Sequence, residues 1–588
     1  MIMPEKPPII NCHTHIFTGD YVPPYLAKTF VFWPLYYFLS LSCIVKGFRF
    51  WYKYPNTWQY KPWYKSILKR IYLIKMLGNR YWYNSLIGIV VGVLLGIQVI
   101  FILNEWISLI FGKKTVLWGS VQQSKEWVAN HSLLYIPESF FGKLLILFLF
   151  FFLFKSGRKP VFFILKSIWT FLGRLPGPKS KDLAERYMLI GRFAFRHKQQ
   201  TILSRLITQY PPGTGFVVLP MDMEYMKAGK LNPEFTYQSQ MAELKSIKDN
   251  SSTKDLFFPF VFIDSRRIID EGNKHFNYSV KDGQVVLEDC FIKTYIEGNK
   301  FSGFKIYPAL GYYPFEEVLL PLWKYAADNE LPIMTHCIRG TIFYRGSKKK
   351  EWDEHPVFEE MGFNKEYEPL KLNEIPNSEF INNFTHPLNY LCLLEETYLR
   401  KLVGGSKDSK IRELFGFSNM ETELKHNLNH LKICFGHYGG DDEWNKFLEL
   451  DRDNYSSQLI KNPTVGIKFL VDEEGGHRPG KIEQIWKYVD WYSIISSLML
   501  QYSNVYSDLS YIIHSSSIQP LLKLTMLNTN LKEKVLFGTD FYVVRNHKSE
   551  KNIYSDILSH LAEEEFDLIA RTNPRKFLNN KLHGSIKI

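Results

Sequence analysis

Short apolar runs, most of them ending on a polar side chain or a proline, recur along this chain between longer amphipathic stretches. They span 9–15, 215–220, 257–264, 303–308, 331–337, 431–437, 504–510 and 535–540. Runs of this length bounded by turn residues read as buried parallel strands. Stretches with helical patterning separate most of them, for example 180–208, 315–329 and 488–502. Eight such units predict an α/β chain folded as a (β/α)8 TIM barrel. Two connections are long, 338–430 and 438–503. The first contains charged sequence around Lys348-Lys349-Lys350 that is expected to be irregular, and the connection is expected to cap the barrel mouth.

One stretch breaks this pattern. Between the first and second strands lie three hydrophobic runs, 30–45, 86–111 and 140–154. The first is aromatic and interrupted by Pro34. The second is about 26 residues long with Glu105 as its only charge, against the roughly 20 apolar residues that a bilayer span needs. The third is shorter, with Lys143 and Lys155 close to its core. The pattern divides the chain into strand 1 with its loop (1–28), a hydrophobic helical insertion (29–175) and the rest of the barrel (176–588). A soluble domain with an apolar helical lid is the alternative reading of the insertion.

Charge sharpens this reading. The chain of 588 residues carries a net +13, with 46% hydrophobic and 16% aromatic residues. Residues 28–200 hold 25 Lys and Arg against 5 Asp and Glu, so that segment carries +20 and the remainder −7. Basic residues among aromatic and aliphatic ones point to a membrane surface, and no nucleic-acid module is present. Residues 46–83 contain nine basic residues and no acidic one, and 155–200 contain eleven against two. The positive-inside rule puts both stretches on the cytoplasmic side. Two spans, the second and third runs, satisfy that rule, with the first run lying in the interface. The barrel is then expected on the cytoplasmic face of a membrane. The first eight residues lack a long apolar region, so no cleavable signal peptide is expected. Six cysteines show no CxxC pair. Cys12 and Cys337 are expected to face away from their histidine neighbours as small buried residues, in a reducing compartment.

Candidate chemistry sits at the strand ends. In Asn11-Cys12-His13-Thr14-His15 the two histidines are two positions apart, so on a strand they share a face. Lys305, His336, His437 and Asp540 end later strands, and barrel enzymes place their chemistry at those ends. A buried His or Asp without a partner is costly, and a shared cation offsets that cost. The reading is a site of His13, His15, His336 and Asp540 around one divalent ion, most simply Zn²⁺, with an open position for water. Asp540 can also take a proton from that water, and His437 can polarise a substrate carbonyl or stabilise an oxyanion. Lys305 has several readings: carboxylated and bridging two metals, paired with Asp264 or a substrate acid, or filling the barrel. Asp508 is expected to orient its neighbours by hydrogen bonding, and His386 to be structural. His477 and His514 are minor candidates.

These residues resemble the amidohydrolase superfamily, in particular the amidohydrolase-2 branch that includes aminocarboxymuconate semialdehyde decarboxylase. The resemblance covers about 1–20 and 180–580. It rests on Asn11–His15, Gly303–Pro308 with Gly311-Tyr312, Thr335-His336-Cys337, Leu431–Gly440, Phe537–Asp540 and Asn573–Leu578. It implies His13, His15, His336 and Asp540 as metal ligands and His437 as a catalytic histidine. It also implies hydrolysis of a C–N or C–O bond, or non-oxidative decarboxylation of an unsaturated acid. Asn11 stands where many relatives carry Asp, and the apolar insertion lies outside the usual pattern. The expectation is a membrane-anchored metal-dependent hydrolase acting on a small-molecule or lipid-like substrate. A decarboxylase using the same site and a non-catalytic membrane-bound binding protein are the rivals.

Overall fold

A computed structural model describes residues 6–23, 81–153 and 197–584, apart from short stretches within them such as 112–115, 450–453 and 471–478, plus isolated positions between 66 and 76 and at 159 and 163. The chain divides into two compact units, Met1–Arg49 with Glu185–Ile588, and Phe50–Ala184.

The larger unit is a mixed α/β structure built on two parallel sheets. β1 (Ile10–Thr14), β2 (Gly215–Val218) and β3 (Phe257–Pro259) form the first. The second has six strands, β4 (Val261–Ile263), β7 (Phe304–Ile306), β8 (Ile333–His336), β11 (Ile433–Gly436), β12 (Val505–Asp508) and β13 (Val535–Leu536). These six pair in chain order from β4 to β13. All eight predicted strands are present, the third split in two at Phe260. Backbone hydrogen bonds link the sheets at both ends. Phe260 N–H donates to Val218 O (3.0 Å) and Ser302 N–H to Pro259 O (2.8 Å) on one side. Cys12 N–H donates to Phe537 O (2.8 Å) and Asp540 N–H to His13 O (2.9 Å) on the other. The strand ladder itself is not continuous around a ring, because β13 pairs only with β12 and meets β1 through an isolated Thr14–Phe541 bridge.

Ile10 and Cys12 pack in an apolar layer with Val217, Phe258, Met334, Cys434, Tyr506 and Leu536, closed below by Phe577 and Leu578. Simple alternation would put Cys12 on the face opposite His13. A register shift between Asn11 and Thr14 adds a residue to β1 and breaks that alternation. Five of the six cysteines are free and buried, and Cys43 lies outside the described residues. In the connection 338–430, residues 342–349 have no regular structure, in line with the expectation around Lys348-Lys349-Lys350; beyond them come an antiparallel pair, β9 (Glu354–Met361) and β10 (Tyr367–Lys371), and several helices. A hairpin of β5 (Tyr278–Lys281) and β6 (Gln284–Leu287), also unpredicted, precedes β7.

In the smaller unit, α1 (Trp82–Phe111), α2 (Val116–Asn130) and α3 (Phe140–Leu153) are described. Val99, Ile102 and Leu147 form the contact between α1 and α3. Glu105 accepts from Lys125 (3.2 Å) and from Lys143, so the one acid of α1 is paired. Most other apolar side chains of these two helices are exposed, including Ile89, Val93, Ile100, Ile107, Phe141 and Phe148. Leu86–Leu109, 24 residues of mean hydropathy 2.9, is one helix long and apolar enough to cross a membrane. Phe140–Phe151 is shorter, and the run at 30–45 lies outside the described residues.

His355, in β9, gives this fold a pH signature. Its Nδ1 accepts from the backbone N–H groups of Val357 (3.1 Å) and Phe358 (2.9 Å), so the proton sits on Nε2, which donates to Asn389 Oδ1 (3.0 Å). Burial holds its pKa down at about 3. The folded state therefore binds fewer protons than the unfolded one below pH 6.5, and stability falls as pH drops from there toward 3. The cost is about 1 kcal/mol per pH unit. We expect the Tm of the wild type to fall more steeply between pH 6.5 and 4 than that of His355→Gln. Equal slopes in a pH series of thermal melts would contradict a buried neutral imidazole.

Candidate metal centre

The site lies at the C-terminal ends of the strands, and hydrogen bonds define the state of each imidazole. His15 Nδ1 faces the backbone carbonyl of Leu219 at 2.8 Å. A carbonyl only accepts, so Nδ1 carries the proton and Nε2 presents a lone pair. His13 Nδ1 likewise donates to Asp508 Oδ2 at 2.8 Å, turning its own Nε2 lone pair inward. Both lone pairs face Asp540 Oδ1, at 3.3 Å from His15 Nε2 and 3.9 Å from His13 Nε2. One ligand atom from each of His13, His15 and Asp540 lies within 4.8 Å of the others, and all three residues are buried. His13 Nε2 has no hydrogen-bond partner. Three acceptors thus meet with no donor among them. Ligand atoms bound at about 2 Å around a tetrahedral ion stand roughly 3.3 Å apart, so the spacing suits a divalent cation.

His336 is not one of the three residues whose ligand atoms lie within 4.8 Å of one another. Its Nδ1–H donates to His437 Nε2 at 3.1 Å, while the Nδ1–H of His437 is directed at Ser510 O (3.2 Å). His336 Nε2 is left buried and without a partner. The ring stacks on Tyr307 with centroids 3.8 Å apart. His437 in turn lies against His13, with ring centroids 4.7 Å apart. Burial pushes the pKa values of His13 and His336 well below the ordinary imidazole value, aided for His13 by Lys305 and for His336 by His437. Burial also holds His437 down at about 3. All three are neutral, the form in which imidazole binds metals.

Lys305 is fully buried in β7, its Nζ has no hydrogen-bond partner, and it lies 5.9 Å from the centre of the Tyr307 ring. Burial lowers its pKa to about 8, opposed by the carboxylates of Asp508 and Asp540. It does not pair with Asp264, whose carboxylate is held by Arg266 through two hydrogen bonds of 2.8 and 2.6 Å. His386 caps its own turn through Leu388 N–H (3.3 Å) and stacks on Trp486. His514 Nδ1 turns back to Tyr511 O, and His477 lies outside the described residues.

Asp508 organises the surroundings. Besides holding His13, it accepts from the backbone N–H groups of His437 and Ser510 through Oδ1, each at 2.9 Å. Ser510 Oγ donates to Asp508 Oδ1 and lies 3.0 Å from His13 Nδ1 and 2.9 Å from His437 Nδ1. Asn11 is engaged by backbone and hydroxyl groups beside the trio. Its side chain accepts from His13 N–H and Thr539 N–H and donates to Tyr210 OH (3.0 Å) and Thr539 Oγ1 (2.9 Å). Tyr210 and Thr539 both donate to Glu550 Oε2.

Sequence reasoning missed Ser510, Tyr307 and two glycines. A Cβ on Gly538 would lie 2.9 Å from His13 Cβ, and one on Gly436 would lie 3.0 Å from His13 Cε1. Each glycine precedes a site residue by one or two positions, the one local signal that would have marked it. Four non-glycine residues here have positive φ: His437 (67°), Tyr438 (44°), Tyr511 (62°) and Asp540 (59°). Each costs on the order of 1–3 kcal/mol, and such strain persists where the surroundings over-determine the backbone.

No family model and no curated protein matches the sequence. Among solved structures the chain is similar to an uncharacterized TIM-barrel protein from Bordetella bronchiseptica, at 10% identity over 71% of this chain and 91% of that one. The TM-score is 0.31, too loose a likeness to support an argument.

The Asp508 contact yields a measurable consequence. Replacing it by Asn removes the charge that fixes the His13 tautomer. We expect the affinity for Zn²⁺ to fall roughly 10- to 100-fold, read by competition against a chromophoric chelator. Unchanged affinity would mean that Asp508 does not orient a ligand.

Proposed function

We propose that this protein is a metal-dependent hydrolase of the amidohydrolase type, built on a (β/α)8 barrel and anchored to a membrane by its insertion. The observation that carries the proposal is the convergence of three buried acceptors, from His13, His15 and Asp540, with no donor between them. The order of the side chains supports the same reading. A His-x-His pair ends the first strand, and Lys305, His336, His437 and Asp540 lie on or after the fourth, fifth, sixth and eighth. The backbone hydrogen bonds joining the two sheets at both ends support a barrel-like arrangement of the strands, although the ladder itself is not continuous.

A divalent ion held by His13, His15 and Asp540 would supply an activated water and a polarised carbonyl. The chain's own groups do the rest. Asp508 and Ser510 keep Nδ1 of His13 occupied, so its Nε2 stays available. Asp540 has a second carboxylate oxygen that can hold the proton released as the nucleophile forms. His336 and His437 form a proton path. A proton taken up at His336 Nε2 lets the Nδ1 proton pass to His437 Nε2, across 3.1 Å. Lys305 places a cation beside Asp508 and Asp540, where negative charge gathers.

Membrane attachment is supported by the 24-residue helix Leu86–Leu109 and the exposed apolar faces of α1 and α3. At 1.5 Å per residue the helix is about 36 Å long, against a hydrocarbon core of about 30 Å. The two basic stretches put the barrel on the cytoplasmic side under the positive-inside rule.

Two experiments test this function. Metal analysis of the purified protein should give near-stoichiometric zinc or a similar divalent ion, lost in His13→Ala. Against a panel of amides, esters and lactones, Asp540→Asn should lower kcat/KM by about 10²- to 10⁴-fold. Release of CO₂ without a new amine, alcohol or carboxyl product would reassign the same residues to non-oxidative decarboxylation. A metal-free wild type would leave a membrane-bound binding protein. Separately, the protein should stay in the membrane pellet after a carbonate wash at high pH. Release into the supernatant would argue against a span.

A further inference from the structure

The loop that follows β8 crosses the C-terminal ends of the strands. It starts at His336, passes Gly340, where a Cβ would lie 3.5 Å from the Tyr307 hydroxyl, and continues across two neighbours. Tyr344 N–H donates to Ala309 O (2.9 Å), just after β7, and Arg345 N–H to Met226 O (2.8 Å), in the loop after β2. Arg345 is therefore carried on the same face as His13, His15 and Asp540.

Three arginines are at least partly buried on this side, and two have their forks filled. Arg266 holds Asp264 through Nε and Nη2, with Nη1 on two carbonyls. Arg267 holds Asp222, Glu224 and Glu271, one through each nitrogen. Arg345 differs. Its Nε and Nη2 are buried and have no acceptor, while the face of the guanidinium lies 3.8 Å from the centre of the Phe343 ring. Burial alone lowers its pKa to about 10, with no carboxylate close enough to oppose it. The two orphaned atoms form the edge that meets carboxylate or phosphate with two parallel hydrogen bonds. An uncompensated guanidinium is expensive to keep out of water, and a structural role would have supplied an acidic partner, as it does for the other two.

We propose that the Nε–Nη2 edge of Arg345 is a subsite for an oxyanion of the substrate, so that the enzyme acts on an anionic organic molecule. Both atoms are closed off from solvent, so an anion reaches them only if the groups packed around Arg345 shift. The proposal rests on reading this end of the strands as an active site, and it names the substrate class for that site.

Full-length protein in detergent would be titrated with benzoate, phenyl phosphate and neutral benzamide, with metal content measured on the same samples. We expect an oxyanion to bind and benzamide not to. Arg345→Met should weaken oxyanion binding at least tenfold. If Arg345→Met does not fold, Arg345→Lys serves: it keeps the charge, loses the fork, and should show the same loss of binding. A preference for phenyl phosphate assigns a phosphate, and one for benzoate a carboxylate. Unaltered oxyanion binding in these variants overturns the proposal, as does no binding by the wild type up to ~10 mM. Binding lost in His13→Ala but kept in Arg345→Met also overturns it, placing the anion on the metal. Arg345-dependent binding in a metal-free wild type sustains the anion subsite and overturns the hydrolase reading alone.

Discussion

Three electron-rich atoms that face one another with no proton between them make an unstable arrangement unless a cation joins them. His13 Nε2, His15 Nε2 and Asp540 Oδ1 are in that position, and the surrounding contacts hold them there. The carbonyl of Leu219 and the carboxylate of Asp508 occupy the other nitrogen of each ring, so neither imidazole can turn its proton inward without losing a hydrogen bond. Burial keeps His13 neutral. The same burial that makes the cluster costly on its own suits it to hold a divalent ion.

Much of the neighbouring structure serves this geometry. Gly436 and Gly538 leave room for the His13 ring where any Cβ would crowd it. Asp540 and His437 adopt left-handed backbone conformations that place their side chains at the cost of strain. Asn11, Tyr210, Thr539 and Glu550 form a buried polar network that ties β1 to the segment carrying Asp540. Asn11 thus acts on the backbone of both ligand-bearing segments, at His13 N–H and Thr539 N–H.

The smaller unit follows a different physical logic. Its helices keep a narrow apolar contact and present most of their aliphatic and aromatic side chains outward. The acid in α1 is neutralised by two lysines. A hydrocarbon surrounding would make both features favourable, and a watery one would make the first costly.

The strands were legible in the chain because burial on both faces requires unbroken apolar runs, and a polar residue ending such a run stands out. That pattern located all eight strands, and with them His13, His15, Lys305, His336, His437 and Asp540. Local pattern could not say which of these meet. The register shift in β1 lies between Asn11 and Thr14, after Ile10 has set the face that Cys12 shares, and His336 Nδ1 meets His437 Nε2 at 3.1 Å. Ser510 and the unfilled fork of Arg345 carry no periodic signal, because their meaning lies in what does or does not stand opposite them. Side-chain type and spacing are set within a few residues of sequence. Hydrogen-bond partnership is decided between segments hundreds of residues apart, and it exists only once the chain has folded.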